Sequence, residues 1–228
     1  MTEGAAHTGV RVRIWDAPVR LVHWLMVSLI GASWWTAHAG KLDYHRDSGY
    51  ALLGLLTFRI YWGFAGSSTA RFANFVRGPR AIGAYLRRLP VRMGAHEPAV
   101  PGHNPLGALS VIALLSLLAA QILLGLFAVD VDGIESGPLS SHVSFDAGRY
   151  CAKLHGRNFN LLLAFVVLHV AAVLFYLVYK RQNLISGMLH GRRAFPAGAA
   201  PQVTFASMSR LLAGAALAGL VVWGVTRA

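Results

Sequence analysis

Apolar residues gather into four long runs, at positions 21–37, 48–64, 105–129 and 154–179, with a shorter fifth at 211–225. A helix rises 1.5 Å per residue, so about 20 residues cross a hydrocarbon core of about 30 Å, and each run is close to that length. The pattern predicts an all-α membrane protein. The first eighteen residues lack the charged start, short apolar core and small-residue cleavage site of a signal peptide, so the first run reads as a retained span. Between the second and third runs, Pro79-Arg-Ala-Ile-Gly-Ala-Tyr-Leu-Arg-Arg-Leu89 opens with a first-turn proline and spreads its apolar residues over one side. It predicts a short helix lying on the membrane surface. Positions 130–150 form a polar, turn-rich loop suited to docking a partner, and 195–207 read as a flexible linker to the last span. No internal repeat is visible.

Composition strengthens this reading. Of 228 residues 55% are hydrophobic and 13% charged, which removes the ordinary soluble domain. The net charge of +12 is unevenly spread. With the N-terminus inside, the inner segments sum to +11 and the outer ones to zero, and Arg59 within the second span completes the total. Short basic loops stay cytoplasmic, so the charge reports topology and contact with anionic lipid rather than nucleic acid. Five spans then put the C-terminus outside. Cys151 is the only cysteine, so no internal disulfide forms, and Cys-Ala-Lys-Leu-His lacks the spacing for covalent haem attachment.

The histidines carry the chemistry. His155 and His169 flank the most apolar part of the fourth span, fourteen residues apart. That interval is about 21 Å along a helix, with the two side chains within roughly 40° of one face. Topology sorts the others by depth: His45 at the outer start of span two is level with His155, and His23 at the inner start of span one is level with His169. His38, at the outer end of span one, reaches a depth similar to His45. A bare structural zinc recruits four ligands at one level, and neither level offers them. Haem iron takes two axial ligands in trans within a bundle core, and saturating both favours outer-sphere electron transfer. Gly31, Gly54 and Gly125 are small enough to let a flat macrocycle approach, or simply to pack helices closely. Arg59 follows His45 by fourteen residues and so reaches the inner level, where a guanidinium suits a haem propionate or a quinone headgroup unless it snorkels to the interface. His103, Glu97 and Asp16 near the inner face are candidate proton relays for quinone chemistry, with helix capping the alternative for His103.

The chain resembles the bacterial cytochrome b561 and NiFe-hydrogenase b-type cytochrome subunits, di-haem membrane proteins. The likeness runs roughly over 15–193. It rests on Trp15-Asp-Ala-Pro-Val-Arg-Leu-Val-His-Trp24, His45-Arg-Asp-Ser-Gly-Tyr50, Arg59-Ile-Tyr-Trp-Gly-Phe-Ala-Gly66, Arg71-Phe-Ala-Asn-Phe-Val-Arg-Gly-Pro79, Gly102-His-Asn-Pro-Leu106 and Leu154-His-Gly-Arg-Asn-Phe-Asn160 with His169. The resemblance implies a four-helix transmembrane bundle over 1–193 holding two non-covalent, bis-histidine haem b groups on His23, His45, His155 and His169. Residues 194–228 add a linker and a fifth transmembrane helix, beyond the family's four-helix pattern. The implied function is electron transfer between a periplasmic redox partner, a soluble cytochrome c or a hydrogenase, and the membrane quinone pool. Two other functions fit the same residues: a stand-alone superoxide:quinone oxidoreductase, and a membrane anchor or assembly subunit whose haems are structural.

Overall fold

A computed structural model describes residues 10–88, 102–196 and 198–228. It is mostly helical: α1 (Ala17–His38), α2 (Leu42–Ala65), α3 (Phe72–Phe75), α4 (Pro79–Arg88), α5 (Pro105–Leu126), α6 (Phe145–Val178), α7 (Leu184–His190) and α8 (Met208–Arg227). Two short strands, β1 (Val10–Arg13) and β2 (Arg192–Phe195), pair antiparallel with Val10 opposite Phe195. The sequence marks where the long helices begin. Asp16, Asn104 and Ser144 accept hydrogen bonds from the backbone N–H of Val19, Gly107 and Ala147, with a proline in the first turn of α1 and of α5. These caps satisfy N–H groups that have no partner within the helix.

Among the described residues three helices, α5, α6 and α8, are long and apolar enough to cross a membrane. At 22 and 24 residues, α1 and α2 have the length, but Arg20, His23 and three tryptophans dilute the first, and His45, Arg46 and Arg59 the second. The apolar surface points outward as lipid demands: Leu168 and Val178 on α6 and Leu212 and Leu220 on α8 are exposed, while Arg59 is only 8% exposed.

α2 is the hub, packing against α1 on one side, α8 on another and α5 more sparingly, while α5 runs along α6. Gly214 of α8 makes this contact close, since a Cβ there would lie 2.6 Å from the Tyr61 ring of α2. Contacts between helix ends show that consecutive long helices alternate in direction. At one end, Thr69 beyond α2 donates to Ile14 ahead of α1, Asn104 ahead of α5 donates to Tyr176 of α6, and Ser68 donates to Thr204 ahead of α8. At the other, Lys41 donates to Thr36, Val129 donates to Gly148, and Arg46 pairs with both Asp43 and Glu135. Exposed Trp34, Trp35 and Trp223 lie toward this second end, as an interfacial aromatic belt would.

Two segments differ from the sequence reading. The loop assigned to 130–150 ends at Ser144, because the Ser144 cap starts α6 there; at 34 residues α6 is about 51 Å long and overshoots the hydrocarbon core. The segment after β2 is not a free linker, since Thr204 and Ala206 donate to the Ser68 and Ser67 hydroxyls. The amphipathic helix is present as α4, whose Tyr85 hydroxyl bonds that of Tyr176. Glu97, His7 and His96 lie outside the described residues.

Candidate functional site

Three helices, α1, α2 and α6, bring the histidines to two levels, and α5 supplies hydrogen-bonding partners. At the first, His45 of α2 and His155 of α6 face each other with ring centres 6.0 Å apart and planes at 84°. His45 Nδ1 donates to the Ser33 carbonyl of α1 at 2.9 Å, with the Ser33 hydroxyl 3.1 Å away, and His155 Nδ1 donates to the Gln121 carbonyl of α5 at 2.9 Å. A carbonyl only accepts, so Nδ1 carries the hydrogen in each ring and Nε2 keeps its lone pair. At 6.0 Å, with Nε2 free on both rings, the pair would fit as two ligands of one haem iron, each ring oriented by the hydrogen bond from its Nδ1.

Neighbours hold this pair. Gly125 of α5 lies against the His155 ring, and a Cβ there would fall 2.9 Å from Cε1. Asn158, one turn beyond His155, donates to Gln121 Oε1 at 2.7 Å and to the Leu117 carbonyl at 3.0 Å, bolting α6 to α5. Of the other glycines, Gly54 packs against Val222 of α8 and Gly31 has nothing within 4 Å. His38 does not turn toward the pair; it is exposed and bonds back to the Trp34 carbonyl one turn earlier.

At the second level, His23 of α1 and His169 of α6 lie within electrostatic reach of each other, and Arg59 of α2 within reach of His23. His169 Nδ1 is 3.5 Å from the Ser110 hydroxyl of α5. His23 Nδ1 and Arg59 Nη1 are buried without a hydrogen-bond partner among the described residues. Arg59 does not snorkel; its guanidinium sits 5.4 Å over the Phe72 ring. A buried guanidinium with an open donor is costly unless an anion meets it, so this level fits a carboxylate-bearing group. Among the described residues no three His, Cys, Asp or Glu side chains gather as a bare metal ion would need.

His103 lies beside this level, its ring 4.8 Å from that of Trp15 and 4.7 Å from that of Phe75, with Nδ1 buried and unpartnered. It does not cap α5, a role that Asn104 fills. Burial first, then the charges of Arg59 and His169, lowers its pKa to about 3. An unfolded chain protonates this imidazole below about pH 6.5 while the folded chain does not. Stability on this account is lost as pH falls, by about 1.4 kcal/mol per unit below that value. Thermal melts of the detergent-solubilised chain between pH 7 and 5 should show the loss, and His103→Phe, which keeps an aromatic ring in the slot, should flatten it. Parallel pH profiles for parent and variant would exclude His103 as the cause.

Sequence reasoning did not anticipate the Ser33, Gln121 and Asn158 partners. Gln121 and Asn158 were discoverable as amide side chains in or beside apolar runs. Asp16, expected as a relay, has one carboxylate oxygen on Val19 N–H at 2.8 Å and the other on Trp62 Nε1 at 2.9 Å.

Residues 14–191 match the model of the family described as prokaryotic cytochrome b561. Three similar proteins each carry the name probable Ni/Fe-hydrogenase B-type cytochrome subunit. That of Azotobacter chroococcum mcd 1 is 27% identical, covering 81% of this chain and 89% of the relative. The Azotobacter vinelandii protein is 26% identical over the same shares, and that of Cupriavidus necator 24% over 85% and 92%. No solved structure matches.

Proposed function

The chain belongs to the prokaryotic cytochrome b561 family, and from that premise we propose that it is a di-haem electron carrier of the bacterial inner membrane. It carries electrons between a periplasmic redox protein and the quinone pool, the partner being a hydrogenase by the names its relatives bear. Membership makes it a membrane b-type cytochrome and hence an electron-transfer protein. The observation that carries the finer reading is the 6.0 Å approach of two imidazoles whose Nδ1 atoms are both tied to backbone carbonyls.

In this reading residues 1–193 form the haem-bearing unit and 194–228 supply a fifth span along α2. The N-terminus is cytoplasmic and the C-terminus periplasmic. His45 and His155 hold the outer haem, and His23 and His169 the inner one. Held by these histidines, haem would supply a one-electron couple. The protein fixes the imidazoles, excludes water and sets the charge around each level. Arg59 offers its open donor to a propionate or to the quinone headgroup, and His103, gripped between Trp15 and Phe75, faces the quinone as hydrogen-bonding and proton-handling partner. In this reading the two levels lie toward opposite leaflets. One charge crossing the whole membrane changes energy by about 2.3 kcal/mol per 100 mV, so the direction of transfer is coupled to the membrane potential.

The test is a pyridine-haemochrome assay with reduced-minus-oxidised spectra on the purified full chain, followed by addition of a short-chain quinol. Two b haems per chain, both reduced by the quinol, are expected. A chain that purifies folded without haem would refute the reading, and haem indifferent to quinol would reduce it to an anchor with structural cofactors.

A further inference from the structure

Asp16 is buried at 4% exposure where the sequence asks only for a helix cap. Serine, threonine or asparagine caps a helix as well as aspartate does and brings no charge into the interior, so a buried carboxylate at this position has a second purpose. Its surroundings indicate which. One oxygen takes the Val19 N–H of α1 and the other takes Trp62 Nε1 of α2, so the carboxylate is clamped between the two helices. Trp62 lies three residues after Arg59 on α2, which places the buried guanidinium on the same face, one turn away. The two charges do not touch: among the described residues the ion pairs are those of Arg46 with Asp43 and Glu135, at the other end of α2. On its own helix Asp16 precedes His23 by seven residues, two turns, and so lies on the same face about 10 Å along the axis. Arg59 lies within electrostatic reach of both His23 and Asp16, so a fixed cation sits at the inner histidine level with a fixed anion beyond it, both inside the bundle where screening by water and salt is weak.

We propose that Asp16 is a positioning residue that acts as the built-in counter-charge of the inner redox centre, holding its potential down against the raising effect of Arg59. This rests on the proposed haem site at His23 and His169. Oxidised haem iron carries one more positive charge than reduced, so a nearby anion favours the oxidised form and a nearby cation the reduced form. With both oxygens occupied by N–H donors, the carboxylate acts through its charge and not by passing protons. The Trp62 clamp keeps that charge fixed relative to α2 while the cap keeps it fixed relative to α1.

The experiment is a potentiometric titration of the purified full chain, followed optically, with the inner wave identified as the one lost in His169→Ala. Asp16→Asn should shift the inner wave to higher potential and leave the outer wave in place. Arg59→Gln should shift the same wave the other way, and Asp16→Glu, which restores the charge, should return it toward the parent value. Loosening of the pocket cannot produce opposite shifts from the two neutralised charges. An inner wave unmoved in Asp16→Asn with both haems present, or moved in the same direction by both neutralising changes, overturns the proposal. If Asp16→Asn loses the inner haem, Asp16→Ser, which keeps a good cap, is read in its place; loss there and in Asp16→Glu as well shows that Asp16 is purely structural and overturns the proposal. A parent without two b haems refutes the haem site itself, and is seen before any variant is compared.

Discussion

Alanine at His155 or at His169 is expected to lower the haem content from two b haems per chain to one, and alanine at both to zero. The two histidines share α6 but stand fourteen residues apart, about 21 Å, so neither change reaches the other level directly. In the proposed sites each truncation would remove one of the two histidines holding a haem, and it leaves the group near the ring, Gln121 in one case and Ser110 in the other, facing a void. His45→Ala should resemble His155→Ala, because the two rings face each other, and His38→Ala should keep both haems because that ring is exposed and bonded within its own helix. Pyridine haemochrome quantification against protein concentration reads the result. One histidine change that abolishes both haems would mean that the levels are not independent. Full retention in His155→Ala would remove α6 from the outer site.

Depth was legible in the chain before any coordinate. Helix rise is nearly constant and consecutive spans alternate, so the position of a histidine along its run fixes its height, and that arithmetic puts His45 level with His155. Starts of helices were legible for a similar reason, since Asn104-Pro105 and Asp16-Ala17-Pro18 combine a capping side chain with a first-turn proline. What could not be read is what depends on the backbone of a neighbour. The carbonyls of Ser33 and Gln121 fix the tautomers of His45 and His155, and every residue owns such a carbonyl, so no residue type announces them. The pinning at Thr204 and Ala206, ahead of α8, escaped for the same reason, as their backbone N–H groups are held by the Ser68 and Ser67 hydroxyls more than 130 residues away in sequence. Arg59 was visible as a costly residue at inner depth. That it stays buried depends on the ring of Phe72, which follows the helix and folds back over it.

Gly125 shows where the same small residue supports two opposite accounts. In the sequence it reads as room for a macrocycle or for a neighbouring helix. In the structure the space is taken by the His155 imidazole itself, with Cε1 2.9 Å and Nδ1 3.1 Å from the place a Cβ would occupy. The ring cannot retreat along α6, because its Nδ1 is bonded to the Gln121 carbonyl one turn earlier on the same helix as Gly125, and Asn158 ties α6 to α5 at that level. Valine at this position would therefore push the imidazole off its hydrogen bond and rotate Nε2 away from His45. Loss of such an orienting partner typically lowers metal affinity 10- to 100-fold. Gly125→Val is accordingly expected to lose or grossly weaken the outer haem while the inner one, about four turns further along α6, keeps its spectrum and stoichiometry. Gly54→Ala, whose added methyl meets only the Val222 side chain at 3.3 Å, is the control and should retain both haems. Low-temperature optical spectra and haem titration of the two variants decide the matter: an intact outer haem in Gly125→Val would show that the His155 ring has another place to go, and with it that this ring is not the rigid ligand the geometry describes.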